Sequence, residues 1–549
     1  MPDSVTGHAG QIAVAVARAH GVEAMFTLSG AHVFPLYDGA VKADPPMPLI
    51  DVRHEATAVF AAEGLARLTR RPGLAVLTAG PGVTNGVSAV TTAHFNGSPL
   101  LVLGGRAPAE KWGQGSLQEL DHPPLLAPVT KHAGTITAVE DVAQQVDDAL
   151  RLATSAHRGP VFLDIPFDVV FAHAQMPTAS GGAPAPVLTA DDGDIAEVAA
   201  AIDAAERPVL VLSSDVWTDG AADAARRCAE QLQLPTITTG MGRGILPRGH
   251  ELLVTRARSA AFSGADLVVV AGAPLDFRLG YGRFGGKDGA TPAAVVHLAD
   301  SPGQLARHVS LAASAAGDLS SVFDAIASAA TRHGGRGQWL ASLRETAAAA
   351  EAADAGLLAS DADPIHPARI YGELRRALDD DAVVIGDGGD FVSFAGRFVE
   401  PARPGHWLDP GPFGCLGTGA GYAIAARLAH PASQVVLLLG DGAAGFSLMD
   451  VDTLVRHRLP VVIVVGNNSV WGLEKGPMQM LYGYDVAADL GPQTRYDEVV
   501  RALGGAGEVV TDPSDLGAAL KRGFAAEAPY LVNVITDPDA AYPRSTFGV

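Results

Sequence analysis

Cysteine is almost missing from this chain: Cys228 and Cys415 are the only two among 549 residues. Two thiols cannot build the disulfide framework of a small secreted protein, and their scarcity fits a reducing cytosol. Positive charge is also short, with 39 Lys and Arg against 60 Asp and Glu, for a net charge of −21. That deficit argues against nucleic acid and anionic membrane surfaces as partners, so any anionic substrate must be met by local arginines. No apolar run approaches the roughly 20 residues needed to span a bilayer. The opening Met1-Pro-Asp-Ser4 has no basic segment leading into an apolar one, so no signal peptide is read there. A cytoplasmic protein with no nucleic-acid and no membrane partner is expected.

What is present is aliphatic and α/β in character. Hydrophobic residues make up 48% of the chain, ample for several buried cores, and its length suits about three domains. Two stretches read as linkers. One is His173–Asp192, rich in Pro, Gly and Ala with no strand or helix period, and the other is about Ala347–Pro367, alanine- and acid-rich before Asp363-Pro364-Ile365-His366-Pro367. They suggest domains at 1–175, 190–350 and 365–549. Short apolar strands alternate with amphipathic helices in each, the pattern of parallel sheets covered by helices. Strands are expected at Met25–Leu28, Leu74–Thr78 and Pro99–Gly104, at Pro208–Ser213, Leu267–Ala271 and Ala294–Leu298, and at Ala382–Ile385 and Tyr530–Ile535.

The most specific feature is Gly440-Asp441-Gly442, followed after 24 residues by Asn467-Asn468. Each element closes an apolar run that reads as a buried parallel strand, Gln434–Gly440 and Leu459–Gly466, with Phe446–His457 as a crossover helix between them. Asp441 and Asn468 should therefore emerge side by side at the carboxyl ends of neighbouring strands, where open α/β sheets bind ligands. A carboxylate, an amide oxygen and the Val470 carbonyl are suitable oxygen ligands for a hard six-coordinate cation such as Mg2+, completed by diphosphate oxygens.

This motif resembles that of the thiamine-diphosphate enzymes of the acetolactate synthase, oxalyl-CoA decarboxylase and 2-hydroxyacyl-CoA lyase superfamily, and the similarity runs essentially end to end. The resemblance implies three parallel-sheet α/β domains: pyrimidine-binding, central and diphosphate-binding. It implies thiamine diphosphate and Mg2+ as cofactors, with Gly440, Asp441, Gly442, Asn468, Val470, Trp471, Gly472 and Leu473 along the diphosphate and metal side. Glu55, in Asp51-Val-Arg-His-Glu55, is implied to hydrogen-bond N1′ of the aminopyrimidine, helping the coenzyme to become a carbon nucleophile. A carboxyl group buried against such a ring is expected to share a proton with it. Gly80, Pro81 and Asn85, in Gly80-Pro-Gly-Val-Thr-Asn85, match the family's Gly-Pro-Gly loop, whose glycines permit close backbone approach. Gln118 matches a Gln or Glu placed over the thiazolium, and Leu416 matches the apolar wedge that bends the cofactor. Glu63 is read as structural, while His94 and Asn96 are weaker site candidates, either of which could simply cap a helix. Because the two sides of the cofactor come from different domains, a homodimer with shared sites is implied, commonly assembled into a homotetramer.

The substrate is less clearly written. In acetolactate synthases the helix after the metal asparagines presents Met, Val and Trp, where this chain has Leu473, Glu474 and Pro477. A carboxylate about 5 Å from that of pyruvate costs roughly 3 kcal/mol at an effective dielectric near 20. The same group suits a lyase, taking a hydroxyl proton as a Cα–Cβ bond opens and returning it to Cα. Glu55, Glu474 and Gln118 are thus the catalytic candidates. The leading expectation is a 2-hydroxyacyl-CoA lyase releasing formyl-CoA and an aldehyde or ketone. The alternatives are an acetolactate-synthase-like carboligase acting on pyruvate, and a non-catalytic paralogue. For an acyl-CoA or nucleotide, candidate contacts are Arg243, Arg258, Arg278 and Arg397, with Arg256 nearby; ADP/CoA and FAD both remain open for the central domain. The short stretch Ala541–Phe547 after the last strand weighs against an acyl-CoA, since several CoA-using relatives carry a closing segment there.

Overall fold

The short β-branched runs form the strands of three parallel sheets in a computed structural model, which describes residues 4–177, 187–286, 291–540 and 542. Gly73–Leu77 and Val462–Asn467 are buried at every position, as strands covered by helices on both faces must be. The first sheet runs Leu49–Asp51, Met25–Thr27, Gly73–Leu77, Leu100–Arg106, Pro160–Pro166, His132–Thr135 in space. The third runs Trp407–Leu408, Val383–Asp387, Val435–Gly440, Val462–Asn467, Tyr530–Ile535, Ala506–Val510. Counted along the chain, both orders are 2-1-3-4-6-5, so the first and third domains share one wiring. In each, the chain reverses direction across the sheet between its first and third strands, opening a crevice at their carboxyl ends. The central sheet has five parallel strands, with Pro208–Leu212 and Leu267–Ala271 side by side at its own reversal point.

Three expectations about local structure need correction. His173–Pro177 is a strand, paired antiparallel with Ser4–His8 as a ribbon apart from the main sheets, where backbone pairing needs no alternating core face. The alanine-rich stretch read as a linker is largely helix: Gly337–Leu358 continues through it, as Ala is the best helix former. The single crossover helix is broken at Leu448–Asp450, between Asp441–Ser447 and Val451–Arg456. There Asp450 turns towards the first domain and accepts the Arg53 N–H at 2.7 Å and the Thr57 hydroxyl at 2.6 Å.

The first and third domains meet where helix Glu55–Thr69 crosses helix Gly419–Ala429. A Cβ on Gly421 would lie 2.9 Å from the Ala61 nitrogen, and one on Gly64 would lie 2.9 Å from the Tyr422 ring, so backbone approach depends on both glycines. Glu63 lies at this seam, fully buried. It accepts from the Tyr422 hydroxyl (2.7 Å), Asn96 (2.8 Å) and Ser98 (3.1 Å), with Arg67 3.7 Å away. A buried carboxylate so completely engaged is architectural.

The first and central domains meet through His157 and Arg158, which reach the carboxyl ends of Pro208–Leu212 and Ala294–Ala299. His157 Nδ1 lies 2.9 Å from Asp300 and 4.0 Å from Asp215, and Arg158 lies 2.9 Å from Asp219. The His157, Asp215 and Asp300 ligand atoms are close enough to hold a cation, yet Arg158 already supplies positive charge at the same carboxylates. Burial would lower the His157 pKa, but Asp215 and Asp300 outweigh it and raise it. Burial pushes Asp215 up to about 7. Both groups bind a proton more tightly folded than unfolded, so their stabilisation is greatest at low pH; for Asp215 it is lost as pH rises through about 7, and for His157 as pH rises past the usual imidazole range. Asp215→Asn mimics the protonated acid. Its thermal midpoint relative to the parent should therefore climb between about pH 4 and pH 7 and level off above; calorimetry across that range would show a flat difference if the reading is mistaken.

Candidate active site

Helix Glu55–Thr69 starts where His54 is extended and its Nδ1 accepts the Ala56 N–H at 3.1 Å. That cap sets Glu55 in the first turn, 7% exposed, and the Asn85 amide donates to its Oε2 at 3.0 Å. Asn85 lies one turn into helix Pro81–Phe95, which follows the third strand of the first sheet. Pro81 needs no N–H partner at this first helical position. Gly80 precedes it at φ +58°, and a Cβ there would meet Gln118 at 2.9 Å on the side chain and 3.0 Å on the carbonyl. Gln118 itself has φ +61°. Glu55, Gly80, Pro81, Asn85 and Gln118 thus form one group at the carboxyl end of the first sheet. Among the described residues His94 makes no side-chain capping bond, whereas Asn96 is the C-cap residue of its helix and donates to Glu63.

The third domain repeats the placement. Gly440 pairs with Gly466 across neighbouring strands, so Asp441 and Asn468 leave the sheet side by side. Asp441 is 3% exposed and among the described residues accepts backbone N–H groups, from Gly442 at 3.0 Å and Ser469 at 2.7 Å. No Lys or Arg pairs with it among the described residues, and burial pushes its carboxyl up to about 6. A buried carboxylate without a cationic side chain fits a hard cation. Asn468 is half-buried, with its oxygen accepting the Val470 N–H at 3.2 Å across Ser469, whose φ is +60°. Asn467 does different work. It is 1% exposed and donates to Asn533 (3.1 Å) and the Thr494 carbonyl (3.0 Å), locking the sheet. Trp471 lies against Gly442 and Leu473 against Gly389, where any Cβ would come within 2.5 and 2.6 Å of them. Glycine at 472 similarly avoids Asp390.

Leu416 is half-buried in the loop leading to helix Gly419–Ala429. Asp387 was not among the sequence candidates, yet it grips that loop by accepting the Gly417 and Gly419 N–H groups at 3.2 and 2.8 Å. It is fully buried, which pushes its carboxyl up to about 7. The missed signal is legible in retrospect: Gly386-Asp387-Gly388 repeats Gly440-Asp441-Gly442 on the adjacent strand. Glu474 sits exposed in the first turn of helix Gly472–Tyr482, beside Lys475, which pairs with Asp489 at 2.6 Å.

The scattered arginines converge. Arg243, Arg258, Arg278 and Arg397 all line one cavity of about 1020 Å³ between the central and third domains, with Arg256 and Tyr542. Most are already paired: Arg243 with Glu400 (3.0 Å), Arg278 with Asp276 (2.7 Å), Arg397 with Asp354 (2.6 Å). Arg258 instead donates to the Arg278 carbonyl at 2.5 Å and has no carboxylate partner among the described residues. Burial, with Arg243 and Arg278 adjoining, lowers its pKa to about 10. The tail stretch after Ala540, apart from Tyr542, lies outside the described residues.

Comparison with known proteins agrees with this geometry. Residues 8–125 match the thiamine pyrophosphate enzyme N-terminal TPP binding domain, 195–326 the central domain, and 387–534 the C-terminal TPP binding domain. The chain belongs to the thiamine pyrophosphate enzymes. It is 48% identical to acetolactate synthase large subunit IlvG of Mycobacterium tuberculosis, over 98% of this chain and 97% of that one. A 2-hydroxyacyl-CoA lyase 2 of Caenorhabditis elegans is 34% identical over 94% of this chain and 86% of its own, and the human lyase of that name is 34% identical over 91% and 84%. In this thiamine pyrophosphate enzyme, Gly80→Ala should destabilise the fold by about 1 kcal/mol or more, because the backbone is left-handed and the new methyl meets Gln118. Chemical denaturation would measure the loss, and an unchanged midpoint would show that the loop yields freely.

Proposed function

We propose that this chain is a thiamine-diphosphate- and magnesium-dependent carboligase of the acetolactate synthase type, acting on a 2-keto acid such as pyruvate. The observation that carries this reading is 48% identity along nearly the whole of an acetolactate synthase subunit, against 34% to the lyases. It reverses the order expected from Leu473, Glu474 and Pro477. The electrostatic objection also weakens: Glu474 is exposed, and in water's dielectric a like charge about 5 Å away costs only about 1 kcal/mol.

Thiamine diphosphate, when bound, supplies a carbon nucleophile and an electron sink. The residues divide the remaining work. Asp441, Asn468 and the Val470 carbonyl would hold Mg2+, and Gly440, Gly442, Trp471, Gly472 and Leu473 would shape the diphosphate side. Glu55, oriented by Asn85, would hold a proton at N1′ of the aminopyrimidine. Leu416 would support the bend of the coenzyme, and Gln118 would face the reacting carbon. The arginine cavity would take the phosphates of FAD or of an ADP moiety, with Arg258 as one cation that has no carboxylate partner among the described residues.

We also propose a homodimer in which Glu55 of one chain faces Asp441 of the other, two such dimers giving a homotetramer. Leu117, Phe446, Met480 and Leu481, each more than half exposed, give one chain much apolar surface beside the two candidate halves. If sites are shared, mixing inactive Glu55→Gln chains with inactive Asp441→Asn chains should restore about a quarter of wild-type activity after subunit exchange. No recovery would place both residues in one chain's site.

A second reading, 2-hydroxyacyl-CoA lyase, is supported by Glu474 and by the cavity's capacity for a CoA nucleotide. Incubation with pyruvate against a 2-hydroxyacyl-CoA separates the two. Acetolactate from pyruvate supports the carboligase, whereas formyl-CoA from the ester, with pyruvate ignored, overturns it. On the lyase reading Glu474→Gln slows cleavage by about one to two orders of magnitude; on the carboligase reading it leaves acetolactate formation near the parental rate.

A further inference from the structure

We infer that His122 is a positioning residue: with Asp164 it latches the loop 113–122 onto the Gly80 turn and keeps Gln118 in its left-handed conformation beside Glu55 and Asn85. This rests on the proposed role of that group as the coenzyme-facing half of the site.

The Gly80 N–H donates to His122 Nε2 at 2.9 Å. Since Nε2 accepts, the ring proton sits on Nδ1, which lies 2.8 Å from Asp164 Oδ2. Asp164 is held in turn by Arg106 at 2.9 Å on the same oxygen and by the Thr135 hydroxyl at 2.6 Å on the other. His122 and Asp164 are fully buried, so each of these bonds replaces water that cannot enter. Arg106 extends the clamp: it also bonds Asp121 at 2.9 Å and lies over the Trp112 ring at 4.0 Å. Both ends of the loop are therefore tied to one buried carboxylate, Trp112 through Arg106 and His122 directly. Within the loop, Glu119 accepts the Gly113 and Ser116 N–H groups at 3.0 and 3.2 Å, closing it upon itself.

Gln118 lies inside this clamped loop. Its φ of +61° is unfavourable for a residue with a Cβ and persists only where the surroundings impose it. The surroundings here are the Gly80 turn, so near that a Cβ on Gly80 would lie 2.9 Å from the Gln118 side chain, and the His122 bond to that same turn. His122–Asp164 joins two segments that carry candidate site residues, the Gly80 turn and the loop holding Gln118.

Two substitutions divide the latch. His122→Asn is too short for Gly80 but keeps a donor for Asp164; His122→Gln keeps an acceptor near Gly80. In coenzyme-free protein, hydrogen–deuterium exchange of residues 113–122 should rise about tenfold in His122→Asn, as for loss of one buried hydrogen bond, and less in His122→Gln. Thiamine diphosphate affinity, measured by titration with Mg2+ present, should weaken in parallel by about tenfold. In a Gln118→Ala background, His122→Asn should cost no further kcat, because its effect passes through Gln118. Parental exchange in His122→Asn, or losses that multiply in the double variant, would overturn the inference. A wild-type protein that binds no thiamine diphosphate would instead refute the proposed function, while the coenzyme-free exchange still decides the latch.

Discussion

The close crossing of helices Glu55–Thr69 and Gly419–Ala429 is the contact on which the candidate site depends. One helix opens with Glu55, and the other is entered through the Leu416 loop. Within one chain a single glycine-lined seam therefore fixes the half-site that opens with Glu55 relative to the half-site entered through the Leu416 loop, and with it the spacing of the two shared sites in the proposed dimer. The buried Glu63–Tyr422–Arg67 set beneath it is costly to desolvate and pays back only when every member is bonded. That requirement selects one docking of the two domains and disfavours near misses.

The shared 2-1-3-4-6-5 order explains why chemistry appears twice at equivalent places. In both sheets one set of candidate residues leaves the third strand beside the reversal point, where helix N-termini and carboxyl-end loops face a crevice. The first domain uses that crevice for Gly80 and Asn85, and the third uses it for Asp441. The central domain fills its own reversal point differently, with His157 and Arg158 of its neighbour.

Much of this could be read from the residues. Doubly covered parallel strands announce themselves as unbroken apolar runs, and Gly-Asp-Gly followed by Asn-Asn marks two strand ends without any coordinates. Other features depend on contacts distant in sequence. Asn467 and Asn468 are the same residue type in adjacent positions, and only the partners Asn533 and Thr494 reveal that the first is structural. The arginines lie on four separate segments, and nothing local indicates that they face one cavity. The broken helix at Leu448–Asp450 follows from a bond to Arg53, almost four hundred residues earlier. His122 and Asp164 carry no motif at all, because a buried tautomer is defined by its neighbours.

Gly64 and Gly421 leave no space for even one methyl group. Their two domains consequently cannot drift apart independently: any enlargement on one helix has to be answered by a shift or a smaller residue on the other. Beyond Leu473, helix Gly472–Tyr482 buries no residue and is under no such restraint. Selection can therefore remodel what the protein accepts while the ground beneath its acid and its ion stays still.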